Sequence, residues 1–120
     1  MLWGRQLDTR YLETTDEERE MQADLSDVCA GMLETRIECY RLMKLARLTI
    51  SNRNCDPTWY DQARRHLFQA RGLCRDAMAN EYPAHIGLAP AYIEWLCCLS
   101  ETSGQCDDRL ALCDCIRDQS

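Results

Sequence analysis

Nine cysteines in 120 residues are the side chains best equipped for chemistry here: Cys29, Cys39, Cys55, Cys74, Cys97, Cys98, Cys106, Cys113 and Cys115. A thiolate binds zinc or copper, while a buried thiol behaves as a small apolar group. The count is odd and the N-terminus, Met1-Leu2-Trp3-Gly4-Arg5, lacks the apolar run of an export signal, so a complete disulfide framework is not expected. No two cysteines are separated by two residues, which excludes a zinc ribbon and a thioredoxin-type pair. Cys97-Cys98 and Cys113-Asp114-Cys115 are the densest pairs, but neighbours one or two apart on a helix point in different directions. Cys106 and Cys113, seven apart, share a face. With Cys97 or Cys98 from a preceding helix, and Cys115 beside them, they form the candidate ligand set for zinc or copper. The plainer alternative is that the thiols pack as small hydrophobes, which suits Cys29, Cys39 and Cys74 on their apolar stripes.

Carboxylates offer the second pattern. Asp16, Glu20, Asp24 and Asp27 recur every three or four residues. On a helix they line up as a ribbon with steps of about 5–6 Å, close to the step between successive phosphates of a nucleic-acid strand. Such a ribbon suits a basic groove built for nucleic acid, as acidic inhibitors of nucleic-acid-handling proteins use. Glu34 and Glu38 continue the acidic side. The ordinary alternative is a solvated face whose charge favours the helix N-terminus. Trp3 is a further candidate anchor for a partner, if it does not tuck into its own core.

Catalysis finds little support. His66 and His85 are the only histidines, and neither stands at a spacing that builds a Cys–His pair. There is no Gly-rich phosphate loop, no His-Glu-x-x-His and no nucleophile elbow. The dense three-and-four cysteine repeats that line copper-storage four-helix bundles are also missing. The one Cys-x9-Cys spacing, Cys29 to Cys39, is half of what intermembrane-space twin Cys-x9-Cys proteins carry.

The element that must position these residues is one long amphipathic helix over about 15–50. Thr15-Asp16-Glu17-Glu18 fits a capping box, and acids crowd the first turns. Arg41, Lys44 and Arg47 suit the other end. Apolar residues recur at helical spacing through Met21, Leu25, Val28, Met32, Cys39, Leu42 and Ala46, with Thr35 as a soft spot. A second line, Cys29, Leu33, Ile37, Tyr40 and Met43, widens the expected buried face. Gly31 is the one position where the helix could kink; continuity is expected.

After the polar break at residues 51–55, Asp56-Pro57 predicts a helix start, with aspartate capping and proline in the first turn. Tyr60, Ala63, Leu67, Ala70, Cys74 and Ala77 form the cleanest stripe, and its three alanines permit close approach to a neighbour. The other face carries Arg64, Arg65, Arg71 and Arg75, to pair with acids elsewhere or stay solvated. Pro83 and Gly87 punctuate an irregular stretch, Pro90 opens a third helix, Ser103-Gly104 is expected to close it, and a fourth covers about 105–117.

Composition agrees with this reading. One Val and five Ile, against abundant Leu, Ala, Met, Arg, Glu and Gln, favour helix over sheet. Net charge −6 argues against general nucleic-acid binding. No run is long and apolar enough for a membrane span. The expectation is therefore a single all-α domain over 1–120, an antiparallel bundle of four main helices. Residues 1–14 form an arm or a short fifth helix. The function expected is non-enzymatic: a cytoplasmic protein-binding adaptor or inhibitor, in its sharpest form one that blocks a nucleic-acid-handling partner, as phages do against host defences. It needs no cofactor and touches neither nucleic acid nor membrane directly. A homodimer along an unspent apolar face is also open. The competing class is a thiolate zinc, copper or redox protein.

Overall fold

The computed structural model describes residues 16–119; the side chains of Glu17 and Met21, the Thr15 cap, Trp3 and the 1–14 arm lie outside the described residues. Helix α1 spans Asp16–Ser51 without interruption. A 3-10 turn at Arg53–Cys55 leads to α2, Trp59–Ala79; a four-residue helix α3, Ala84–Gly87, and then α4, Pro90–Asp118, complete the chain. Among the described residues there is no strand. The chain is an all-α bundle: three long helices and one short one, packed together.

The long helices run up, down and up. The α1–α2 connection is short, which forces an antiparallel pair. Cross-contacts agree, with Cys39 meeting Cys74 and Asp27 sharing a groove with Ala77 and Asn80. Arg64 reaches Asp114 and Arg71 reaches Asp107, so α2 and α4 are also antiparallel. Helices α1 and α4 therefore run parallel, with Leu25 beside Ala91 at one end and Lys44 beside Arg109 at the other.

Small side chains set the packing. Ala46, Ala63, Ala70 and four cysteines, Cys39, Cys74, Cys106 and Cys113, are fully buried, with Leu67 and Leu99 as the largest fully enclosed groups. Each such leucine contributes about 1.5–3 kcal/mol by leaving water. The stripe predicted for α2 forms its core face, and Met32, Cys39, Leu42 and Ala46 of α1 meet it. Thr35, the soft spot of that stripe, is half-buried, and its hydroxyl donates to the Gly31 carbonyl at 3.0 Å.

Three expectations change. Helix α2 starts at Trp59 with Thr58 as its N-cap, because the Asp56 carboxylate accepts from the Thr58 amide at 2.9 Å and the Thr58 hydroxyl at 2.7 Å and holds a turn there. Ser103-Gly104 does not close a helix: α4 continues through it. Ser103 and Thr102 are buried, and the Thr102 hydroxyl donates to the Cys98 carbonyl at 2.9 Å. The glycine penalty, about 1 kcal/mol, is outweighed because Leu99 and Cys106 anchor the helix on either side. Finally, the second apolar line of α1 is not a buried face. Only Met43 is buried; Leu33, Ile37 and Tyr40 are exposed, since α2 and α4 cover the opposite side of the helix.

Candidate interaction surface

Helix α1 uses one side for the core and leaves the other to solvent. Asp16, Glu20, Asp24 and Asp27 all lie exposed on its first turns, as the ribbon spacing requires. Their partners are few. Arg19 stands 3.9 Å from Asp16 on the same helix, and His85 Nε2 stands 3.9 Å from Asp24. Neither distance is a hydrogen bond. Asp27 borders a groove of about 410 Å³ between α1 and the end of α2, floored by Val28 and Met32 and flanked by Tyr82.

One to two turns beyond the ribbon, and roughly a third of a turn around the helix from it, exposed apolar groups appear on α1. Leu33 is 42% exposed, Ile37 60% and Tyr40 43%, at spacings of four and three. Arg36 fixes Tyr40 by donating to its hydroxyl at 3.0 and 2.8 Å, and its guanidinium also lies over the Trp95 ring of α4 at 5.7 Å. Glu38, on the acidic flank, accepts two hydrogen bonds from Arg41, which hold its carboxyl below the usual range. Leu33, Ile37 and Tyr40 were legible as an apolar line, but not as an outer one.

The arginine face of α2 behaves differently. Arg64 donates to Asp114 at 2.9 Å and to the Tyr60 hydroxyl at 2.7 Å, and that hydroxyl in turn donates to Asp114. The Tyr60 bond, then Arg64, keep the Asp114 carboxyl below its ordinary range. Arg71 and Arg75 converge on Asp107 at 2.7 and 3.5 Å. These arginines are occupied in joining α2 to α4; Arg65 alone of the four is exposed with no ion pair among the described residues.

The proposed thiolate ligands are not brought together. Cys97, Cys98, Cys106, Cys113 and Cys115 all lie on one continuous helix, and the first and last are about 27 Å apart at 1.5 Å per residue. Cys97 and Cys115 face solvent, whereas Cys106 and Cys113 point into the core. Among the described residues no group of three or more His, Cys, Asp or Glu side chains is arranged to hold a metal ion. The thiols that do meet are Cys39 and Cys74, with sulfurs 3.3 Å apart. Cys39 Sγ also lies 3.3 Å from the Ala70 carbonyl, so Cys39 donates there and Cys74 donates to Cys39. That donation and burial push the Cys74 thiol up. Burial pushes Cys106 up to about 11 and raises Cys113 as well. These are protonated, apolar-behaving thiols at neutral pH. Of the three cysteines read as stripe residues, Cys39 and Cys74 are buried and Cys29 is half-exposed.

The histidines form no catalytic pair with a cysteine among the described residues: His85 faces Asp24, and His66 is half-buried beside the α2 stripe. No helix of the described residues is long and apolar enough to cross a membrane. Trp3 lies outside the described residues. Comparison with protein families, with curated proteins and with solved structures finds no match to this chain.

Proposed function

We propose that this protein is a non-enzymatic binding module that docks the outward side of α1 against a basic protein surface. The observation that carries the reading is the exposed ribbon Asp16, Glu20, Asp24 and Asp27 along one flank of a continuous helix, with exposed Leu33 and Ile37 farther along and around its outer side. The four carboxylates span about 17 Å along the axis, enough to follow several phosphate positions of a strand. A partner whose groove is built for nucleic acid offers the matching cations, and occupying that groove inhibits it, as a protein acting against a host defence system does. Affinity for such a partner falls with added salt, because the attraction is between solvent-exposed charges.

The test is capture of partners from the native host by the tagged protein. It is run beside a variant with Asp16, Glu20, Asp24 and Asp27 all changed to Arg. All four are exposed and none holds the core; far-UV circular dichroism checks that the variant keeps its helices, since cations there oppose the helix dipole. A partner retained by the parent and lost by the variant supports the reading; identical capture sinks it.

A further inference from the structure

On the α4 side of α1, away from the ribbon, the surface changes sign. Lys44 and Arg47 of α1 and Gln105 and Arg109 of α4 line a cleft of about 190 Å³, with Tyr40 and Met43 completing it. Three cations meet there in a chain of net charge −6, and no carboxylate lines the cleft. Among the described residues none of the three has an ion-pair partner within 4.0 Å. Two nearby acids of the same helices are engaged elsewhere, Glu38 with Arg41 and Asp107 with Arg71 and Arg75. Arg109 lines the cleft, while its Nη1 is buried with no hydrogen-bond partner among the described residues, so its guanidinium is not held by any acceptor at that atom. A buried, charged donor left unpaired is costly, and native structures rarely keep one without an acceptor.

We propose that this cleft binds a phosphate or phosphoryl group. A planar guanidinium presents two parallel donors to such an oxyanion, and Lys44, Arg47 and the Gln105 amide add donors from both helices. The volume accommodates one phosphoryl group and leaves any attached group outside in solvent. Because α1 and α4 each contribute two polar side chains, the bound anion ties the ends of two parallel helices together. The site is independent of the acidic ribbon, which lies on the other flank and at the other end of α1.

Equilibrium dialysis with radiolabelled inorganic phosphate, and in a second arm a nucleoside monophosphate, at constant ionic strength held with chloride, tests the site. The parent binds one equivalent. Arg109→Gln weakens binding about tenfold or more, the loss typical of a charged hydrogen bond, and Lys44→Met with Arg47→Met weakens it further. Arg109→Lys retains charge and keeps part of the affinity, which separates ligation from folding. Arg41→Gln, removing an exposed cation of α1 outside the cleft, leaves binding unchanged. Equal affinity in both arms identifies the free ion as sufficient; tighter binding of the monophosphate identifies a phosphate ester. No saturable binding by the parent, or binding that survives Arg109→Gln with its far-UV spectrum intact, overturns the proposal.

Discussion

Replacing Leu67 by alanine probes the seam on which the bundle is built. Leu67 is 0% exposed, and its neighbours along the α2 stripe, Ala63 and Ala70, are fully buried as well. Removing the leucine's outer carbons forfeits about 2 kcal/mol of transfer free energy at about 0.8 kcal/mol per methylene. The cavity adds to that loss, because neighbouring alanines have no rotamers with which to fill it. Leucine-to-alanine changes in cores cost about 2–5 kcal/mol, and the rigidity of this site places Leu67→Ala near 4. A domain of this size holds roughly 5–15 kcal/mol in total, so the loss is a large fraction. Leu112, 49% exposed on α4, is the control: Leu112→Ala costs about 0.5–1 kcal/mol. Urea unfolding followed by far-UV circular dichroism, with equal slopes for both variants, measures the difference. A loss below 1 kcal/mol for Leu67→Ala, or one no greater than for Leu112→Ala, refutes the reasoning.

Three further outcomes follow from the same packing. Gly31→Ala and Gly104→Ala each stabilise the protein by about 0.5–1 kcal/mol, since both lie within continuous helices and an added Cβ meets nothing within 4 Å; thermal melts check this, and destabilisation by either places a break at that glycine. Timed alkylation read by mass spectrometry labels Cys55, Cys97 and Cys115 quickly in the native protein, while Cys39, Cys74, Cys106 and Cys113 react only on unfolding; rapid labelling of Cys106 contradicts the core. Alkaline pH destabilises the fold: with Cys106 raised from an ordinary value near 9 to about 11, its contribution is fully present below pH 9 and lost as pH rises through 11. That loss is on the order of 3 kcal/mol, two units at about 1.4 kcal/mol each. Cys74 and Cys113 act in the same direction, while Cys39, held below its ordinary value by the bond from Cys74, acts against them. Denaturant midpoints at pH 8 and 10.5 test the sign, and a Cys106→Ala variant flattens the decline.

Much of the fold could be read from local pattern. The acidic start and long apolar stripe of α1, and the alternating three-and-four stripe of α2, are large signals that no tertiary contact opposes. Ser103-Gly104 misleads because punctuation by a glycine is a local preference of about 1 kcal/mol, easily overruled by the burial of Leu99 and Cys106 on either side. Leu33, Ile37 and Tyr40 share the helical period of the core, and periodicity alone does not say which side of a long helix its neighbours occupy. The cysteine set does not converge for a related reason: its spacing brings Cys97 or Cys98 to Cys106 and Cys113 only across a helix break, and α4 runs unbroken. The cation cleft left no sequence signal. Lys44 and Arg47 read as residues suited to a helix end, and only the parallel register of α1 and α4 brings Arg109 and Gln105 beside them.

The central claim, that the outward side of α1 is the face this protein presents to its partner, is tested most directly by photocrosslinking in native-host extract. A photoreactive residue replaces Glu20 of α1 in one sample and the exposed Gln69 of α2 in another. The account predicts a salt-sensitive crosslinked adduct from position 20 and none from position 69. The same adduct from position 69, with none from position 20, contradicts it.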